Sequence, residues 1–297
     1  MISNNCSTDQ TAKIIEKYRE KFENVIVENQ SQNMGLPWNF NRVVNLASGK
    51  YFMWVPHDDF HEPSFIAKTL NLLESDKSVV LAMSLSKAVL TLTKETLWVA
   101  SLDSFSNCVT PLERYKEAAR NFPAVAMYGI YNRAAMLRAG LLPGIIGGDL
   151  VFIRALSLQG HFRSGNEVLF TRKARESWNS KKTDRLVFLG RKANSDVFVL
   201  PAGLLVLIKD LGNIASAKLG IVTKIRLSAD IIYLSFSKYS KRKIVQVLVL
   251  SNPINKRKAA ALKWYDLWFS SPNIVEYSSD SYFKRIILPS LRLTKKL

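Results

Sequence analysis

Sulfur, imidazole and long apolar runs are all scarce in this chain, and each shortage removes a class of protein. Two cysteines, Cys6 and Cys108, supply neither a disulfide framework nor a zinc set, so both are expected as buried free thiols. The three histidines form no ligand set, because His57 and His61 flank a single turn while His161 stands far along the sequence. The longest apolar stretch, Val197 to Ile208, runs for 12 residues between Asp196 and Lys209, too few to cross a hydrocarbon core of ~30 Å. No spanning helix is expected. The first residues, Met1 to Cys6, offer no basic n-region followed by an apolar h-region. A secretory leader is therefore not expected, and the cytosol is the anticipated compartment. Neither a repeat period nor a low-complexity tract interrupts the chain.

Apolar material, by contrast, is plentiful. Of the 297 residues 47% are hydrophobic, enough for a large core and incompatible with global disorder. The formal net charge of +18 is unevenly placed: residues 1–178 hold 20 Lys+Arg against 17 Asp+Glu, whereas residues 179–297 hold 22 against 7. Two regions are expected on this ground, an N-terminal one over 1–178 and a basic, mainly helical one over 179–297. A tail of that polarity, with apolar segments between its basic clusters, suits the anionic inner face of a membrane and a peripheral attachment there. A solvated basic face is the alternative. Nucleic-acid binding has no recognised reader motif behind it and is not expected.

Along the chain, Ala12, Ile14, Ile15, Tyr18 and Phe22 recur at a 3.6-residue period, which predicts a helix from Thr11 to Phe22 with caps among Ser7 to Asp9. A strand follows at Val25 to Val27, a polar loop from Asn29 to Gly35, and a helix through Trp38 to Ala47, stopped by Gly49. The aromatic run Lys50 to Val55 reads as a buried strand that Pro56 ends. Pro63 opens a helix over Ser64 to Leu73 as a first-turn proline. Val79 to Ser84 is the next strand. Helices at Pro111 to Arg120 and Asp149 to Gln159 and a last strand at Val168 to Thr171 complete the region, and further helices are expected near 181–192, 203–217, 222–240 and 256–268. The alternation predicts an α/β fold with a mostly parallel sheet, whose ligands bind at the strands' carboxyl ends. Trp38 and Trp54 are expected in the core.

Asp58 and Asp59 sit just past one such end. Adjacent carboxylates repel, and a divalent cation relieves them. Magnesium or manganese, held by one or two carboxylates together with substrate phosphates, fits this pair, with Asp58 and Asp59 as metal ligands. A plain surface turn is the alternative. Asp149 opens a predicted helix, where a carboxylate meets the positive end of the helix dipole. An ordinary N-cap is the reading that position alone supports.

Ordered segments of the first 178 residues resemble family 2 of the glycosyltransferases, enzymes of the inverting, GT-A-fold kind. Asn4-Asn5-Cys6-Ser7-Thr8-Asp9-Gln10-Thr11 resembles the D-N-x-S-x-D-G-T segment beside the nucleotide base. The helix start Asn33-x-Gly35-x-x-Trp38-Asn39-Phe40-Asn41-Arg42 and the strand Gly49-Lys50-Tyr51-Phe52-Met53-Trp54 resemble the next two motifs. His57-Asp58-Asp59 falls at the metal-binding D-x-D element. Tyr128-Gly129-x-Tyr131-x-Arg133 is similar to the stretch before the acceptor site, and Gly148-Asp149 to the motif that supplies the catalytic base. The resemblance implies a GT-A fold and transfer of a sugar from a nucleotide-diphosphate-sugar donor to a glycan, lipid-linked or small-molecule acceptor. It implies a base at Asp149, donor contacts at Asn5, Ser7, Asp9, Asn41, His57 and Asp58, and a metal at Asp58 and Asp59. Where this sequence departs from the pattern, roughly one leading β-α unit is absent. Arg175 stands at a position often held by a metal-proximal histidine, and Asn5 replaces a frequent aspartate. A truncated, catalytically inactive protein acting as a binding module is therefore the competing expectation.

Overall fold

The computed structural model describes residues 1–174, 189–190, 202–251 and 274–277. Strand β1 (Ile2–Asn4), helix α1 (Thr11–Lys21), strand β2 (Val27–Asn29) and helix α2 (Leu36–Leu46) come first. β3 (Tyr51–Met53), β4 (Phe60–His61), α3 (Phe65–Ser75), β5 (Val79–Leu90) and β6 (Thr96–Ala100) follow. Then come α4 (Pro111–Asn121), β7 (Ile130–Asn132), α5 (Arg133–Ala139), α6 (Gly148–Ser157) and β8 (His161–Ala174). α7 (Ala202–Ser216), α8 (Ile221–Ser251) and β9 (Ile274–Tyr277) complete the described chain.

The α/β class is as expected, but the sheet is mixed rather than mostly parallel. β5 pairs in parallel with β8, while β7 runs antiparallel between β3 and β5, and β6 and β4 also pair antiparallel with their neighbours. β1 and β2 form a separate parallel pair. Among the described residues β1 and β3 thus each pair on one edge only.

Several boundaries differ from expectation for local reasons. Gln10, not Ser7 to Asp9, precedes α1, and it makes no side-chain cap. The Asp9 carboxylate instead accepts the Thr11 N–H at 2.9 Å. Pro63 stands just outside α3, before its boundary residue Ser64. β2 lies two residues later than expected. β5 continues well past Ser84 because Ser84 and Ser86 are buried, with both hydroxyls bonded to backbone carbonyls. β8 begins at His161, and its polar stretch through Glu167 lies where the register with β5 slips. β6 was not anticipated.

Trp54 is buried, but Trp38 is not, being 36% exposed on the outer face of α2. Cys6 and Cys108 are half-buried rather than buried. The helices expected at 203–217 and 222–240 correspond to α7 and to a longer α8. Those expected at 181–192 and 256–268 lie outside the described residues, apart from a turn at 189–190.

One aromatic cluster joins four elements of the molecule. Trp54 meets Tyr131 and Phe152 edge-on at ring-centroid distances of 5.4 and 5.8 Å. Its indole N–H donates to the Phe40 carbonyl at 3.1 Å, which satisfies the polar handle that a buried tryptophan carries. α2, the end of β3, β7 and α6 are joined in this way. The basic helices dock on the far side of α6 and α4. Ile214, Leu227 and Ile231 pack against Tyr115 and Ala119, and Asp210, fully buried, is ion-paired with Arg154 and accepts the Tyr115 hydroxyl at 3.1 Å.

Candidate active site

The turn after β3 carries His57, Asp58 and Asp59, and it is pinned to the end of β8. Phe60 and His61 pair with Thr171 and Phe170, and the Lys173 N–H donates to the Asp59 carboxylate at 2.9 Å. His57 and Asp58 are exposed. Burial pushes the Asp59 carboxyl above the usual carboxylate range, Asp58 adds to the rise, and the Lys173 N–H with the Arg172 and Lys173 charges opposes it. His61 takes no part: it lies edge-on to Phe65 and against Phe170, and burial lowers its imidazole.

Across the site, α6 starts on Gly147, whose φ of 83° is left-handed. A side chain at Gly148 would place its Cβ 2.3 Å from the Pro143 carbonyl oxygen. Both glycines are therefore needed to bring the first turn of α6 this close to the Leu142-Pro143 loop. Gly148→Ala is expected to cost about 1–3 kcal/mol, the usual penalty of overpacking, and to reduce any activity of Asp149 with it. Thermal unfolding alongside turnover checks this.

Asp149 lies in the first turn of α6, half-buried. It is not an N-cap, since Gly147 holds that position without a side-chain bond. The carboxylate borders a cavity of about 190 Å³ whose wall also includes Leu36, Pro37, Phe40, Met127, Tyr128 and Arg172. The Tyr128 phenol is pushed up by its burial, pulled down by Arg172, and raised further by Asp59, Asp58 and Asp149. Asp149, Tyr128 and Arg172 thus line one cavity.

Of the remaining sequence-derived positions, Asn41 and Asn5 brace segments that border this cavity. The Asn41 side chain is bonded at both ends to the backbone of Leu142, donating to its carbonyl at 2.8 Å and accepting its N–H at 3.0 Å. Asn39 bonds to Ser3, and Arg42 pairs with Glu28 at 3.1 Å. The Asn-x-Asn-Arg run thus ties α2 to β1, to β2 and to the loop before α6. Asn5 donates to the Asn33 side chain and accepts the Met34 N–H, both at 2.9 Å. This fixes the turn that delivers Leu36 and Pro37 to the cavity. Ser7 is exposed, with its N–H bonded to the Asn4 side chain. Between them Cys6 adopts a left-handed φ of 62°, which turns the chain out of β1. Asp9 is exposed at the entry of α1.

Tyr128 entered the sequence reading only as the start of a motif, and Arg172 was assigned no role there. The signal for Arg172 was its place beside Lys173 in the strand that faces the acidic turn. Arg175, which drew attention instead, lies outside the described residues. Among the described residues no cluster of three or more His, Cys, Asp or Glu is present. The carboxylate oxygens of Asp58 and Asp59 are of the type that a hard cation takes. Asp58 is exposed and without a hydrogen-bond or ion-pair partner among the described residues, and it adjoins a carboxylate whose ionisation burial already opposes.

Residues 1–139 match the family model for Glycosyl transferase family 2. An uncharacterized glycosyltransferase of Methanocaldococcus jannaschii is 23% identical over 128 residues, covering 43% of this chain and 39% of that protein. The match therefore spans well under half of that relative. Among solved structures, TarS 1–349 of S. aureus in complex with UDP-GlcNAc superposes with a TM-score of 0.56 at 19% identity, covering 90% of this chain and 71% of that one. TarS itself gives 0.54 at 17% identity, over 91% and 42%. At such identities the likeness is one of fold, and the fold is GT-A.

Proposed function

Since residues 1–139 match the family model for Glycosyl transferase family 2, we propose that this protein transfers a sugar from a nucleoside-diphosphate-sugar donor to an acceptor hydroxyl with inversion. The observation that carries the reading is Asp149. Its carboxylate is unused by the helix it opens, and it borders the same cavity as Arg172.

Asp149 accepts the proton of the acceptor hydroxyl as that oxygen attacks the anomeric carbon from the face opposite the leaving group. The bond to the diphosphate oxygen breaks, and its electron pair departs with the nucleoside diphosphate. Inversion follows from the single displacement. Arg172 presents a planar guanidinium suited to gripping a diphosphate by two oxygens. Asp58 and Asp59 would hold magnesium or manganese, which when bound supplies positive charge to the leaving diphosphate. Asn41 and Asn5 act one step back, by fixing the loop before Asp149 and the turn before Leu36. His57, Ser7 and Asp9 stand exposed on the donor-facing turns, where the family resemblance implies contact with the donor. The acceptor class, whether glycan, lipid-linked or small molecule, is left to the assay.

A binding-only role is the second reading. Incubation with UDP- and GDP-sugars plus acceptor panels, followed by mass spectrometry and NMR of the product's anomeric configuration, separates the two. Nucleoside diphosphate release with an inverted product is expected. No release above a heat-denatured control would overturn the transferase reading.

A further inference from the structure

Helix α8 has two unlike faces. Leu227 and Ile231 are 0% and 1% exposed against Tyr115 and Ala119 of α4. On the opposite side Val222, Ile225, Tyr233 and Phe236 recur at the helical period, with Ile225 62%, Tyr233 71% and Phe236 63% exposed. At 1.5 Å per residue the stripe runs for roughly 20 Å. Soluble surfaces seldom carry so many large apolar side chains in one line.

Charge indicates what the stripe meets. Residues 202–251 contain eight Lys and Arg and only two acids, Asp210 and Asp230. Both acids are consumed inward, Asp210 by Arg154 and Asp230 by Lys116 at 2.6 Å. Among the residues whose side chains are described, Lys209, Lys218 and Arg226 are exposed and both acids are paired, so the described outward surface of the two helices is apolar and cationic. No helix among the described residues is long and apolar enough to cross a bilayer.

We propose that α8 lies along an anionic phospholipid surface, with Ile225, Tyr233 and Phe236 inserted at the acyl boundary and the basic side chains on the headgroups. The proposal does not rest on the transferase reading and survives its failure.

Flotation of the full chain with phosphatidylcholine vesicles, with and without phosphatidylglycerol, tests it. The wild type is expected to float with the anionic vesicles only and to detach at high salt. The exposed pair Ile225→Glu and Phe236→Glu should lower the bound fraction about tenfold or more, since two carboxylates then face the headgroups. Circular dichroism confirms that the fold persists. Should that pair unfold, Lys218→Gln with Arg226→Gln, both at exposed positions, is expected to weaken binding and flatten its salt dependence. The proposal is overturned if the wild type ignores anionic vesicles or if the folded variants float as well as it does. It is equally overturned if light scattering shows the stripe closing a dimer that the glutamates dissociate.

Discussion

Asp149→Asn is expected to lower sugar transfer by about 10²–10⁴-fold, the range that general-base removal costs, while leaving donor affinity within a few-fold of wild type. The asymmetry follows from position. The carboxylate lies at the start of α6, takes no part in capping that helix and borders the cavity. The amide keeps the size and loses only the capacity to accept the proton. A single-turnover assay at saturating donor, run beside an equilibrium binding measurement, separates the two effects. A variant that turns over at the wild-type rate would remove Asp149 from the mechanism and move the base elsewhere along the cavity wall.

Asp210→Ala is expected to destabilise the fold by about 3–5 kcal/mol, because it leaves the buried Arg154 guanidinium without its counter-charge. Asp210 is fully buried, and burial holds its carboxyl above the usual range despite the opposing Arg154 charge. The pair therefore adds little net stability, although breaking it on one side is costly. Replacing both partners, Arg154→Met with Asp210→Leu, should recover most of the loss. Denaturant titrations of the single and double variants measure this directly. The effect reaches the candidate site because Arg154 belongs to the helix that carries Asp149, and a Cβ on Gly147 would lie 3.0 Å from Val206 of α7. The basic helices thus buttress the turn from which Asp149 projects, and the single variant should lose turnover below its unfolding midpoint as well.

The alternation of amphipathic helices with short apolar strands was legible because each period repeats within a few residues. The sheet's mixed direction was not. β7 is only three residues long and its pairing partners lie far away in the chain, so no local signal announced it. β5 and β8 were underestimated for a related reason. Ser86 and the run from Arg163 to Glu167 look like loop by composition, and pairing with strands remote in sequence holds them.

At the candidate site Asp149 lines one cavity with Tyr128 and Arg172, and the turn of Asp58 and Asp59 is tied to the end of β8. The work of Asn39, Asn41 and Arg42 was not legible. Their partners Ser3, Leu142 and Glu28 are remote in sequence, and a polar helix start looks the same whether it faces a ligand or braces a loop. Arg172 was assigned no role because a basic residue in a strand carries no distinguishing period.

The most direct measurement is a calorimetric titration of UDP and GDP into the folded wild type and into Asp58→Ala, each with and without manganese. The account predicts metal-dependent binding of one nucleotide to the wild type, weakened at least tenfold in the variant, whose exposed side chain leaves the fold untouched. Absence of binding to the folded wild type would contradict it. Binding indifferent to both metal and Asp58 would contradict the assigned donor site.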